Sequence, residues 1–216
     1  MQVPTYSLKN LGLENESVIN RMMIDSFSLK SPGLLNGRMG YTIVFYLWGR
    51  EKNKPIYEEF GERLLDTVIQ GLTTQLPINF SNGLCGIGWG LEFLFYHRFV
   101  EFSSNDIFEE LDQRIIQLVY LKQNLNFQTE LVGILHYVLA RINGNNNRKE
   151  KKPFTKEFLQ YLQQHICLQN DSIPDKELSH LMRIYNHWFT TEEINYSIET
   201  TLLIKTLQIF NFKIDK

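Results

Sequence analysis

Cysteine is scarce. Only Cys85 and Cys167 occur in 216 residues, too few for the disulfide frameworks of small secreted domains, and a chain of this length can bury a core without covalent staples. Reduced thiols are the expectation. Neither charge sign dominates either: 22 Lys and Arg stand against 24 Asp and Glu, a formal net charge of −2. That balance supplies no overall field toward nucleic acid or an anionic membrane, so neither is expected as a partner. No segment approaches the roughly 18 consecutive apolar residues of a membrane-spanning helix. The first residues, MQVPTYSLKNLGLENESV, lack the basic stretch and apolar run of an export signal. The sequence therefore reads as a cytoplasmic globular protein.

What is present is a repeat. Asn36-Gly37-Arg38-Met39-Gly40 precedes the apolar run YTIVFYLWGR, and Asn82-Gly83-Leu84-Cys85-Gly86 precedes IGWGLEFLFYHR. The second glycines of the two motifs, Gly40 and Gly86, are 46 residues apart. A further 47 residues lead to Gly133, ahead of ILHYVLAR, and another 47 to His180, ahead of LMRIYNHWF. Glu130-Leu131 and Glu177-Leu178 hold the same register in the third and fourth units. A fixed period of this size is the mark of stacked supersecondary units that cannot bury their apolar faces alone.

Each unit has room for two helices and two connections. The first helices are expected to begin near residues 38, 84, 131 and 178. YTIVFYLW and LEFLFYHRF are apolar nearly all round, which predicts burial on every side. The second helices are expected at 61–72, 107–125, 155–169 and 198–212. In 107–125, Ile107, Leu111, Ile115, Leu118 and Leu125 alternate with Glu109, Glu110, Asp112, Gln113 and Gln117, predicting an outer helix whose polar residues meet water. A further helix at 14–28 is placed to cap the array. Residues 143–153, Asn-Gly-Asn-Asn-Asn-Arg-Lys-Glu-Lys-Lys-Pro, read as an exposed loop whose basic residues are simply solvated. The whole is an all-α single domain over 1–216, with units centred on 40, 86, 133 and 180, forming a partial or small α/α toroid.

The segments 33–50 and 81–95 resemble the lanthionine synthetase C-like family, in which a glycine-containing turn precedes each inner helix of an α/α toroid. The resemblance covers roughly residues 33–141, with 177–212 included only by the period. It implies a toroidal arrangement and a setting in modified-peptide biosynthesis. The family's cyclases hold a zinc with Trp-Cys-x-Gly and Cys-His-Gly motifs. This chain has neither Trp-Cys nor Cys-His. Its residues offer two ligands in one register, Cys85 and His180, where catalytic zinc needs three protein ligands and an open position. No metal and no cofactor are therefore expected.

Several groups carry the remaining chemistry. Gly83, Gly86, Gly88 and Gly90 superficially suggest a phosphate loop, but no strand precedes them and no Lys-Ser or Lys-Thr follows, so close helix contact is the reading. Glu92 sits in an otherwise apolar helix, with Arg38 or Arg98 as its expected partner. Paired with Glu130 or Glu177 it could serve acid and base roles in a carbohydrate-active α/α enzyme. Glu130 and Glu177, however, also fall in first helical turns, where a carboxylate is favoured electrostatically. Trp48, Trp89, Trp188, Tyr41, Tyr46 and Tyr137 could line a groove, though core packing is the simpler role. The leading expectation is a zinc-free peptide-binding or accessory protein, more a binder than an enzyme. Its binding residues would be Asn36, Gly37, Arg38, Asn82, Gly83, Cys85 and Trp89, because turns before helices expose backbone N–H groups. The alternatives are the carbohydrate-active enzyme and a zinc-dependent peptide cyclase completed by a partner chain. A homodimer through the last helix is a further expectation.

Overall fold

In the computed structural model, residues 15–35, 37–73, 75–101, 105–122, 130–148, 151–167 and 176–193 are described. They form eight helices, α1 (Glu16–Ser26), α2 (Arg38–Lys52), α3 (Pro55–Gln70), α4 (Leu84–Tyr96), α5 (Asn105–Leu121), α6 (Val132–Arg148), α7 (Lys156–Cys167) and α8 (Lys176–Thr191), with no strand among the described residues. The four first helices of the repeat begin at Arg38, Leu84, Val132 and Lys176, within two residues of the positions expected from the period. The expected helix at 198–212 lies outside the described residues.

Local chemistry explains the hairpins. α2 stops where Asn53 takes a left-handed conformation (φ 52°), tolerated by asparagine, and the Lys54 N–H donates back to the Gly49 carbonyl at 2.8 Å. Pro55 then opens α3, its fixed φ suited to a first helical turn and its missing N–H costing nothing there. Asn15 caps α1 by accepting from the Ser17 N–H at 2.9 Å. α1 lies against the first hairpin, where the Tyr57 hydroxyl donates to Glu16 at 2.9 Å and lies 3.0 Å from the Asn20 side chain.

α2, α4 and α6 run side by side and parallel. Met39 of α2 meets Gly90 of α4, and Arg50 at the far end of α2 donates to the His97 carbonyl just beyond α4. Tyr137 of α6 meets Gly88, and Arg148 at the end of α6 lies over Phe95. α8 continues the row: Ile142 and Asn146 of α6 border one small cavity with Trp188 and Glu192. α2 and α4 are buried almost throughout, as their all-round apolarity predicts, whereas α8 exposes His180, Arg183 and His187 while burying Leu178, Leu181, Met182, Tyr185 and Trp188. Half of the glycine string serves helix contact, since a Cβ at Gly88 would lie 2.2 Å from the Tyr137 ring and one at Gly90 would meet Met39, whereas Gly83 and Gly86 face the turn carbonyls of Pro77 and Phe80.

Two expectations fail. Residues 143–148 are not loop but the last turns of α6, with Asn145 fully packed at 2% exposure. Turn propensity of the Asn-Gly-Asn-Asn-Asn run gives way to tertiary context: Asn145 is packed inside, and Arg141 and Arg148 on one helix face hold a buried carboxylate. Asp112 likewise belongs to the buried face of α5, beside Phe108, Leu111, Ile115 and Val119, and not to the wet one.

Candidate functional site

The turns before α2 and α4, where the sequence placed a peptide site, are closed on themselves. The Arg38 N–H donates to the Ser31 carbonyl at 2.9 Å, Met39 to Gly33 at 3.2 Å, and Leu84 to Pro77 at 2.9 Å. The two turns also interlock, with the Leu35 N–H on the Ser81 carbonyl at 2.9 Å. Gly37 and Gly83 are buried, and a Cβ on Gly83 would meet the Pro77 carbonyl. Cys85 and Trp89 are fully buried, Arg38 is half-buried, and Asn82 is exposed with its N–H held by the Asn79 side chain at 2.9 Å. Asn36 lies outside the described residues. The donors expected to meet a ligand at Arg38, Met39 and Leu84 already have backbone acceptors.

The opposite end of the same helices carries the polar chemistry. Glu92 is fully buried on α4, and its partners are neither Arg38 nor Arg98. Arg38 opens α2 on the turn side, and Arg98 follows α4 in a left-handed conformation (φ 54°) with its side chain exposed. α6 supplies both cations. Arg141 Nη1 donates to Glu92 Oε1 at 2.7 Å, and Arg148 binds both carboxylate oxygens, at 2.9 and 3.0 Å. Arg141 also grips Asp112 of α5, with Nη2 to Oδ2 at 2.8 Å and Nε 3.2 Å from each oxygen. The Tyr137 hydroxyl completes the cluster by donating to Asp112 Oδ1 at 2.6 Å. Phe108 covers the Arg141 guanidinium at 4.4 Å, and Phe95 covers that of Arg148 at 4.8 Å, contacts favourable to cations.

Two carboxylates and two guanidiniums balance in charge, which a buried cluster requires. Burial pushes the Asp112 carboxyl above its ordinary range, against the opposing pull of Arg141 and Tyr137. Burial works against the Arg141 charge too, but the bond and charge of Asp112 outweigh it and raise its pKa. Burial beside Asp112 holds the Tyr137 hydroxyl protonated. Gly144 is part of this arrangement, since a Cβ there would lie 2.3 Å from Glu92 Oε2.

Above the cluster opens a cleft of about 240 Å³. One wall is α5, with Phe108, Glu109, Gln113 and Ile116; the other is the segment after α6, with Lys151, Lys152 and Pro153; Asp112, Arg141 and Asn145 form the floor.

The carboxylates named as possible acid and base do not converge. Glu130 lies two residues before α6, bonded to Lys122, eleven residues before the Arg141 that meets Glu92. At 1.5 Å per residue the two carboxylates' levels differ by about 16 Å along the helix. Carboxyl pairs in glycoside hydrolysis lie within about 5–10 Å. Glu177 lies in the first turn of α8, and its side chain, like that of Cys167, is outside the described ones. Cys85 is buried, with its thiol raised well above the usual value by burial and then by the Glu130 charge, whereas His180 is exposed beside Arg183. Among the described residues no three His, Cys, Asp or Glu side chains are grouped as metal ligands. Trp48, Trp89, Trp188, Tyr46 and Tyr137 are core residues, and Tyr41 is half-buried against it.

Sequence reasoning passed over Arg141, and it gave Tyr137 to a groove, Asp112 to a wet helix face and Arg148 to a solvated loop instead of to this cluster. A signal for three of them existed: Tyr137, Arg141, Gly144 and Arg148 recur at four, three and four residues, one face of a single helix. Among the described residues no helix is long and apolar enough to cross a membrane. Comparison of the chain with protein-family models, with curated proteins and with solved structures finds no match.

Proposed function

We propose that this protein is a peptide-binding helical-repeat protein that does not itself catalyse a reaction, an accessory in modified-peptide biosynthesis. The setting is the one its resemblance to lanthionine synthetase C-like proteins implies. The observation that carries the binding reading is the juxtaposition of a charge-balanced buried cluster with an open polar cleft above it. Glu92 and Asp112, the buried carboxylates of the cluster, are each held by arginine. Cys85, the described cysteine side chain, is buried with its thiol held protonated. A base, acid or nucleophile needs access and a pKa near working pH. Glu92 and Cys85 are shut away from solvent, and Asp112 on the cleft floor is taken up by Arg141 and Tyr137; a floor whose polar groups are satisfied is what a binding surface needs.

In this reading a peptide lies across the cleft between α5 and residues 151–153, and the glycine turns keep the helices in register. The protein also associates with a second copy, a reading supported by the exposed Ile24 of α1, Phe27 just after it and Ile56 of α3. Titration of the full chain with a library of short peptides, followed by fluorescence anisotropy, tests the binding. Binding that competes with cross-linking of Lys151 is expected. Loss of a measurable turnover on Glu92→Gln, with the fold intact, would sink the non-catalytic reading. Sedimentation giving only the 25.5 kDa monomer would remove the dimer.

A further inference from the structure

We infer that the cleft selects a peptide segment of mixed charge, with a cationic side chain set against Glu109 and a carboxylate set against Lys151; this rests on the peptide-binding reading above. Size sets the first limit. Sites that engulf a whole small molecule usually run from about 300 to 1,000 Å³, and this cleft holds about 240 Å³. It takes a residue or two of a longer chain.

The floor sets the second. Asp112, Arg141 and Asn145 are nearly fully buried, and Asp112 is paired with Arg141, so the floor fixes shape and adds no net charge. Selection passes to the walls. On α5, Glu109 and Gln113 stand one helical turn apart, both exposed and lining the cleft, and neither has a partner among the described residues. Across from them Lys151 is exposed and has no partner among the described residues, and Lys152, which also lines the cleft, makes only a solvent-exposed pair with Glu192 at 3.3 Å. The free groups are thus a carboxylate and an amide on one wall and an ammonium on the other. Phe108 and Ile116 offer apolar surface for the methylene stem of a lysine or arginine.

This arrangement discriminates. A polyanion such as nucleic acid meets the Glu109 carboxylate, and a uniformly basic peptide meets Lys151 and Lys152. An apolar ligand would strip water from Glu109 and Lys151 without pairing them, which is costly. A segment bearing both charges satisfies both walls, and the Gln113 amide can hold the backbone between them.

The test uses the full chain and four sets of short peptides of equal length: lysine with glutamate at separations of one to four positions, lysine alone, glutamate alone, and glutamine at the same places. The best mixed peptide is expected to bind about tenfold tighter than any of the others at low salt, an advantage of about 1.4 kcal/mol that salt removes. Glu109→Lys and Lys151→Glu should each abolish that preference while leaving the unfolding midpoint unchanged, because both side chains are exposed. The double variant should recover it for peptides of reversed charge order. Peptides that bind with no charge preference, or with a preference indifferent to both variants, would refute the inference and leave the peptide reading standing. A chain that binds none of the four sets refutes both.

Discussion

The two ends of the α2, α4 and α6 row are built differently. At the glycine-turn end, backbone meets backbone: carbonyls of residues 31–33 and 77 take the helix N–H groups, and the turns lock onto one another. At the other end, side chains meet side chains, and Glu92, Asp112, Arg141, Arg148 and Tyr137 balance one another under an open cleft. The glycine end is closed by backbone packing, the polar end by mutual pairing of its charges. A motif that stands out in a sequence can therefore be entirely architectural, while an unremarkable polar run builds the surface a ligand can reach.

The largest expected effect breaks the polar end. Arg141→Met leaves Glu92 and Asp112 short of a cation in a dry environment, and breaking a buried ion network this way costs about 3–5 kcal/mol. Replacing the group together, as Glu92→Leu, Asp112→Leu, Arg141→Met and Tyr137→Phe, should cost less than Arg141→Met alone, since no buried charge loses its partner except Arg148, which can reach solvent at 14% exposure. Urea denaturation of the two variants decides it; a quadruple variant weaker than the single one would show that the cluster stabilises by more than charge balance.

Next comes the glycine end. Gly86 faces the Phe80 carbonyl so closely that an added Cβ would lie 1.8 Å from that oxygen, and neither group is a flexible side-chain tip. Gly86→Val must move the turn and is expected to cost about 2–4 kcal/mol, by over-packing and loss of the interlocked turn. A thermal shift under a few degrees would mean the turn can slide and is no fixed joint.

A smaller effect links stability to pH. His97 is buried where α4 ends, and burial, followed by the Arg50 charge, lowers its pKa to about 4 from 6.5. Its folded pKa lies below the unfolded one, so the unfolded chain takes up the proton first as pH falls. Stability from this group is complete above pH 6.5 and is lost between about 6.5 and 4, after which the loss levels off. At about 1.4 kcal/mol per unit of pKa the ceiling is about 3.5 kcal/mol. His97→Gln should flatten the denaturation midpoint across that window; an unchanged slope would assign it to other groups.

The legibility of the molecule follows the same division. The fold was readable because a period of 46–47 residues forces the same apolar face to recur, and the helix starts at 38, 84, 132 and 176 follow it. Cys85 and Trp89, read as binding residues, are core, because position beside a turn says nothing of which way a side chain packs. Glu92 stood out correctly as a carboxylate needing a partner, but the partners came from 49 and 56 residues later in the chain. Local turn propensity masked them, since the Asn-rich run after Arg141 looks like a loop until Arg148 is seen to share its helix face with Arg141.

The smallest expected effect lies on the rim of the cleft and calibrates the rest. Three cations around it hold carboxylates at similar distances, 2.7 Å for Arg141, 2.9 Å for Arg148 and 3.3 Å for Lys152, but their exposure differs. The Lys152 and Glu192 side chains are 70% and 75% exposed. There water screens the attraction, and the entropy lost in holding two long side chains offsets most of what remains. Lys152→Ala is expected to cost no more than about 0.5 kcal/mol, against several for Arg141→Met, with Arg148→Gln falling between because its carboxylate is buried while its guanidinium still reaches solvent. The order of the three denaturation midpoints should therefore follow burial and ignore the small differences in distance. A Lys152→Ala loss comparable to that of Arg148→Gln would mean that residues 151–153 are pinned by this pair, and the cleft wall would then be held by electrostatics and not by the packing of Pro153 and Phe154.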